Sequence, residues 1–152
     1  MRLRAMPAAD RARSLLEAIE AEHLRLRALL SGHDSGTLAA RPPNGKWSVM
    51  GNLRHLVFAE RMHLGQFIPR GHPLSLSEMA ADEYRELRNL RMVAVDEPVR
   101  IDDVLGSLES FHLAAREFVV QDTEKVLWGL DVNLRHLRSH IAVIERLLRR
   151  AR

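Results

Sequence analysis

Leu130-Asp131-Val132-Asn133-Leu134-Arg135-His136-Leu137-Arg138-Ser139-His140-Ile141-Ala142-Val143-Ile144 decides the fold. Leu130, Leu134, Leu137, Ile141 and Ile144, continued by Leu148, recur three or four residues apart, so a helix gathers them into one apolar stripe. Such a stripe needs other helices to cover it. At about 100° per residue, His136 and His140 lie about 40° apart around the axis. They share a flank of the stripe with Val143 and Leu147. Two neutral imidazoles one turn apart can hold one divalent ion without backbone distortion. The same pair could equally be a solvated or core-flanking feature, since the chain has eight histidines.

Working outward, the same spacing recurs three more times. A first helix is expected from Ala8 to Leu30, with Leu15, Leu16, Ile19, His23, Leu26 and Leu30 on one side and Ser31-Gly32 ending it. Pro42-Pro43-Asn44-Gly45 makes a connection, and Ser48 is the N-cap of a second helix running to about Ile68, stopped by Pro69 and Gly71. A long crossover from Pro69 to Pro98 follows, with a helix over Ser77–Val95 expected from its good helix formers. The third core helix starts at Asp102 or Asp103, carries Val104, Leu105, Leu108, Phe111 and Leu113, and ends near Val120. The last spans Thr123 to Arg150, with a break near Gly129. No β pattern or internal repeat is visible. The expectation is an all-α, single-domain four-helix bundle over 1–152, with a long crossover between the second and third core helices.

A third histidine lies inside the second helix. His55 shares its face with Ala59, Met62 and Gln66, a mostly apolar stripe. Catalytic zinc-type sites take three protein ligands and keep one position open, and His55 completes that number. A core histidine satisfied by one hydrogen bond is the alternative.

Gly45-Lys46-Trp47-Ser48 leading into a helix, His55-Leu56 with Glu60 five residues after the histidine, and the late His-x3-His helix together resemble the DinB-like metalloprotein superfamily. The resemblance runs from about Leu15 to Leu148 and implies a divalent metal, often nickel or zinc, in the middle of the bundle. Carried over by position, the ligands are His55, His136 and His140. The family includes thiol S-transferases that use low-molecular-weight thiols, and many members with no assigned reaction. One position departs from the family: an acidic residue often follows the first late histidine, and here it is Leu137.

Composition narrows the chemistry. There is no cysteine, hence no disulfide, no catalytic thiol and no zinc–thiolate site. Any thiol must come from outside. The net charge is +3, with 23 basic and 20 acidic residues interspersed, and seven aromatic residues other than histidine do not form the stacking array of a single-strand binder. No nucleic-acid partner is expected. The basic ending Arg146-Leu147-Leu148-Arg149-Arg150-Ala151-Arg152 suits the negative end of a helix dipole. Without an apolar run after Met1 to Pro7, the chain reads as cytoplasmic, with no signal peptide and no membrane span.

The remaining candidates carry less. His63, about 80° around the helix from His55, reads as a neighbour of the seam or surface rather than a fourth ligand. No role is assigned to His23, His33, His72 or His112. Glu60, about 140° from His55, reads as the partner of an arginine on a neighbouring helix, or as a link to a ligand histidine. Trp47 anchors the loop or lines a substrate mouth. Arg54, Arg135 and Arg138 are solvated, or bind a carboxylate of the thiol.

Three neutral imidazoles leave a divalent ion its full double charge, which lowers the pKa of a thiol or of water. The expected function is metal-dependent transfer of a low-molecular-weight thiol to a small electrophile. A metal-dependent hydrolase and a non-catalytic bundle are the alternatives. The thirty-residue crossover suggests a cover over the site or a homodimer surface.

Overall fold

Leu130, Leu134, Leu137, Ile141, Ile144 and Leu148 are all buried in the computed structural model, which describes residues 8–81, 100–121 and 123–151. The helices are α1 (Ala8–Leu30), α2 (Ser35–Ala39), α3 (Val49–Leu64), α4 (Ile101–Phe118) and α5 (Glu124–Arg150). No strand occurs among the described residues. The architecture is the all-α bundle the periodicity predicts: α5 packs against both α1 and α3, and α4 closes the ring by packing on the same two helices. Burying the six stripe residues of α5 contributes on the order of 10 kcal/mol before chain entropy is counted. No described helix is long and apolar enough to cross a membrane.

The ends of the helices follow from local chemistry. Ser48 Oγ accepts the Gly51 N–H at 3.0 Å and Thr123 Oγ1 accepts that of Val126 at 3.3 Å, each satisfying a donor that has no partner within the helix. The α-helical part of α3 stops at Leu64, short of Ile68, and Gly65–Phe67 continues as a 3-10 turn. Pro69 explains the stop, because the residue before a proline is pushed out of the helical region, and Ile68 is extended at φ −84, ψ 130.

The structure departs from expectation at five points. α4 starts at Ile101 rather than at Asp102 or Asp103, and the two aspartates lie in its first turn, where their charge still meets the positive end of the dipole. Leu113 is 59% exposed, on the side of α4 away from the core. The short α2 was not expected; Asp34 Oδ1 caps it by accepting the Thr37 N–H at 2.7 Å, and it buries Leu38. α5 runs unbroken through Gly129. A Cβ there would sit 2.9 Å from Phe67 Cε2 and 3.2 Å from the His63 carbonyl oxygen, so the glycine lets the end of α3 approach α5 closely. The helix expected over Ser77–Val95 does not start at Ser77, where Leu76–Glu78 is a 3-10 turn followed by an extended Met79. From residue 82 to residue 99 that expectation lies outside the described residues.

Candidate metal centre

α3 and α5 pack side by side, and this seam brings His55 to the late pair. One ring nitrogen from each of His55, His136 and His140 lies within 4.8 Å of the others. Among the described residues this is the only group of three or more His, Asp or Glu side chains that converges in this way. The ring centroids are 5.0 Å apart for His55 and His136, 4.8 Å for His55 and His140, and 4.4 Å for His136 and His140. All three residues are partly exposed, so the cluster is reachable from solvent.

Hydrogen bonds fix what the rings offer. Asn52 is buried, and its Nδ2 donates to the Ser48 carbonyl at 2.9 Å, which sets the amide so that Oδ1 faces His140 Nδ1 at 2.8 Å. Oδ1 only accepts, so the proton is on His140 Nδ1 and the lone pair is on Nε2. His55 Nε2 and His136 Nε2 face each other at 3.1 Å, and His136 Nδ1 is buried without a partner. Burial holds the His136 pKa down at about 4, reinforced by His140, His55 and His63, and burial also lowers that of His140. Both are therefore neutral at pH 7, the form that ligates a metal.

These residues fit a divalent cation. Three imidazole nitrogen donors match the ligand type of divalent-metal sites that keep a position open. Two facing Nε2 atoms at 3.1 Å need a proton or a cation between them. Leu137 is fully buried in the core, so the residue after His136 brings no carboxylate to the cluster.

Trp47, immediately before the Ser48 cap, lies over the site, its ring centroid 5.0 Å from that of His55 and 6.4 Å from that of His140. Arg135 and Arg138 are taken up on the surface by Asp131 at 2.8 Å and Glu22 at 3.2 Å, so neither reaches the histidines as a carboxylate binder.

Behind the cluster runs a polar chain that helical spacing did not reveal. His63 Nδ1 lies 3.0 Å from Asn133 Oδ1, and Asn133 Nδ2 donates to Glu60 Oε1 at 3.3 Å. The same Glu60 oxygen is 2.6 Å from His23 Nε2. The Glu60 pairing with an arginine is thus corrected: its partners are His23 and Asn133, and His23 gains a definite role. His112 is buried, with its ring edge-on to His23 at 5.5 Å, and desolvation lowers its pKa. His23, Glu60, His112 and Asn133 come one from each of α1, α3, α4 and α5 and meet in the bundle interior. His63 ends this chain against His136, at a ring-centroid distance of 5.3 Å. His72 Nδ1 accepts the Leu74 N–H at 3.1 Å and packs on Phe118, away from the cluster. The asparagines gave no signal in the sequence beyond their polarity at core-facing positions.

No curated protein and no solved structure matches the chain. A family model described as the DinB superfamily matches residues 18–144, a span that begins in α1 and contains His55, His136 and His140. With that match over most of its length, an all-helical bundle and three converging histidines, the chain belongs to the DinB superfamily.

Proposed function

We propose that this protein is a metal-dependent transferase that joins a low-molecular-weight thiol to a small electrophile. The observation that carries the reading is the partly exposed three-imidazole cluster beside Trp47, with no acidic side chain among its ligand atoms. His55, His136 and His140 would hold zinc or nickel. A divalent cation bound by neutral ligands supplies Lewis acidity that makes a thiol acidic at neutral pH.

The surrounding residues serve the same reaction. Asn52 keeps His140 in the Nδ1–H tautomer with Nε2 turned to the cluster, the positioning that ligand histidines need. Asn133, set by Glu60, does the same for His63, which leaves the His63 Nε2 lone pair beside His136. His63 Nε2 takes the thiol proton. The sulfur then bonds to the electrophilic carbon while the bond to a leaving group such as chloride breaks, the leaving group departing with the electron pair. Trp47 walls one side and limits access of water. The homodimer expected from the sequence belongs to the same proposal.

Metal content of untagged protein and its conjugation of thiols to a chloro-dinitro arene test this reading. The expected result is about one metal per chain and thiol-dependent turnover that His55→Ala lacks. His136→Ala and His140→Ala should lose metal with helicity retained, and His63→Ala should keep metal while turnover falls. Metal-free wild type, or turnover that persists in His55→Ala, would overturn it. Hydrolysis that needs no thiol would replace it with the hydrolase reading.

A further inference from the structure

On α5 the strip that carries His136 and His140 continues through Val143 and Leu147, and beside them opens a cavity of about 510 Å³. That volume is within the range of small-molecule sites. Trp47 and Asn52 belong both to the cavity wall and to the histidine cluster, since Trp47 stacks on His140 and Asn52 holds His140 Nδ1. The two spaces therefore adjoin at His140.

Among the described residues, three cationic side chains line the cavity, Lys46 from the loop before α3 and Arg146 and Arg150 from α5, and no Asp or Glu does. None of the three forms an ion pair with a described residue, whereas Arg25, Arg27, Arg135 and Arg138 on α1 and α5 each lie within 4 Å of a carboxylate. The helix dipole accounts for arginine near the end of α5. It accounts neither for Lys46, which comes from a different element, nor for the lack of acidic groups in a chain with 20 of them. Val143, Leu147 and the Trp47 ring provide apolar wall between the cations and the histidines.

We infer that this cavity is the recognition site for an organic anion, a carboxylate- or phosphate-bearing molecule with an apolar stem whose far end lies at the three histidines. Guanidinium groups suit both head groups through paired N–H donors, and Lys46 adds a point charge. The identity of the reacting end rests on the proposed thiol transfer, but the anion preference does not.

The test uses chelator-treated protein, so that no anion can bind through a metal. Trp128 is 65% exposed and outside the cavity, and in a Trp128→Phe background Trp47 becomes the sole indole reporter. Hexanoate, hexyl phosphate and uncharged hexanamide are titrated against Trp47 emission. Saturable binding of hexanoate or hexyl phosphate is expected, and the stronger of the two identifies the head group. Binding should weaken at least tenfold in Arg146→Gln/Arg150→Gln, weaken in Lys46→Gln, and fall with added salt. The inference is overturned if hexanamide binds as well as the anions, if neither anion saturates, or if the double variant binds within twofold of the parent with unchanged circular dichroism. Since metal is absent throughout, failure here leaves the thiol-transfer reading standing, and failure of metal loading leaves this one standing.

Discussion

Asn52→Ala separates the positioning of a ligand from the ligand itself. Asn52 is 3% exposed, and its Oδ1 accepts from His140 Nδ1–H at 2.8 Å. Without the amide, the His140 ring can rotate or change tautomer, and part of the population presents N–H where a lone pair is needed. Loss of such a partner typically weakens metal binding 10- to 100-fold, or about 1.4–2.7 kcal/mol. The fold should suffer less. The Ser48 carbonyl still receives the Asn52 backbone N–H at 3.1 Å, so only the His140 donor is stranded, a cost of about 1 kcal/mol in the metal-free protein. Competition against a chromophoric chelator at pH 7.5 gives the zinc affinity, and urea melts give the stability. Asn52→Asp sharpens the test, because a carboxylate accepts from Nδ1 and raises the basicity of the ring; its affinity should stay well above that of Asn52→Ala. An Asn52→Ala affinity within twofold of wild type would refute the reasoning. So would a loss as complete as that of His140→Ala, which would mean the amide is itself indispensable to the ion.

Further expectations follow from the interior and the seam. Glu60→Ala strands the His23 and Asn133 donors at about 1–3 kcal/mol each and should lower the melting temperature far more than Glu60→Gln, which keeps one acceptor oxygen; equal losses would show that the polar chain does not stabilise the bundle. Gly129→Ala gains about 1 kcal/mol of helix propensity, but its Cβ meets Phe67 Cε2 at 2.9 Å and the His63 carbonyl at 3.2 Å, and overpacking of about 1–3 kcal/mol should win, so a raised melting temperature would contradict the close approach. His112, His136 and His140 all have folded-state pKa values below 6.5, chiefly because of burial, His136 reaching about 4. The unfolded chain therefore binds protons below pH 6.5 that the folded chain does not, and metal-free protein should lose stability as pH falls from 6.5 towards 4; an unchanged urea midpoint between pH 7.5 and 5.0 would rule this out.

Helix positions, caps and core stripes were legible in the sequence because each depends on residues within a turn or two of one another. Ser48 could be read as an N-cap for that reason, and the residues of the α5 stripe could be assigned to the core. The His136–His140 pair is equally local, while the addition of His55 drew on the likeness to a family and needed the α3–α5 seam to be seen in space. What only the tertiary structure decided are the partners: Asn52 for His140 across 88 residues, Asn133 for His63 across 70, and His23 for Glu60 across 37. Helical periodicity fixes which side of a helix a residue occupies, but not the rotation and register of one helix against another. Those are set by packing of whole faces, as where Gly129 admits the end of α3, and a shift of one residue would have given Glu60, Asn133 and Trp47 different neighbours.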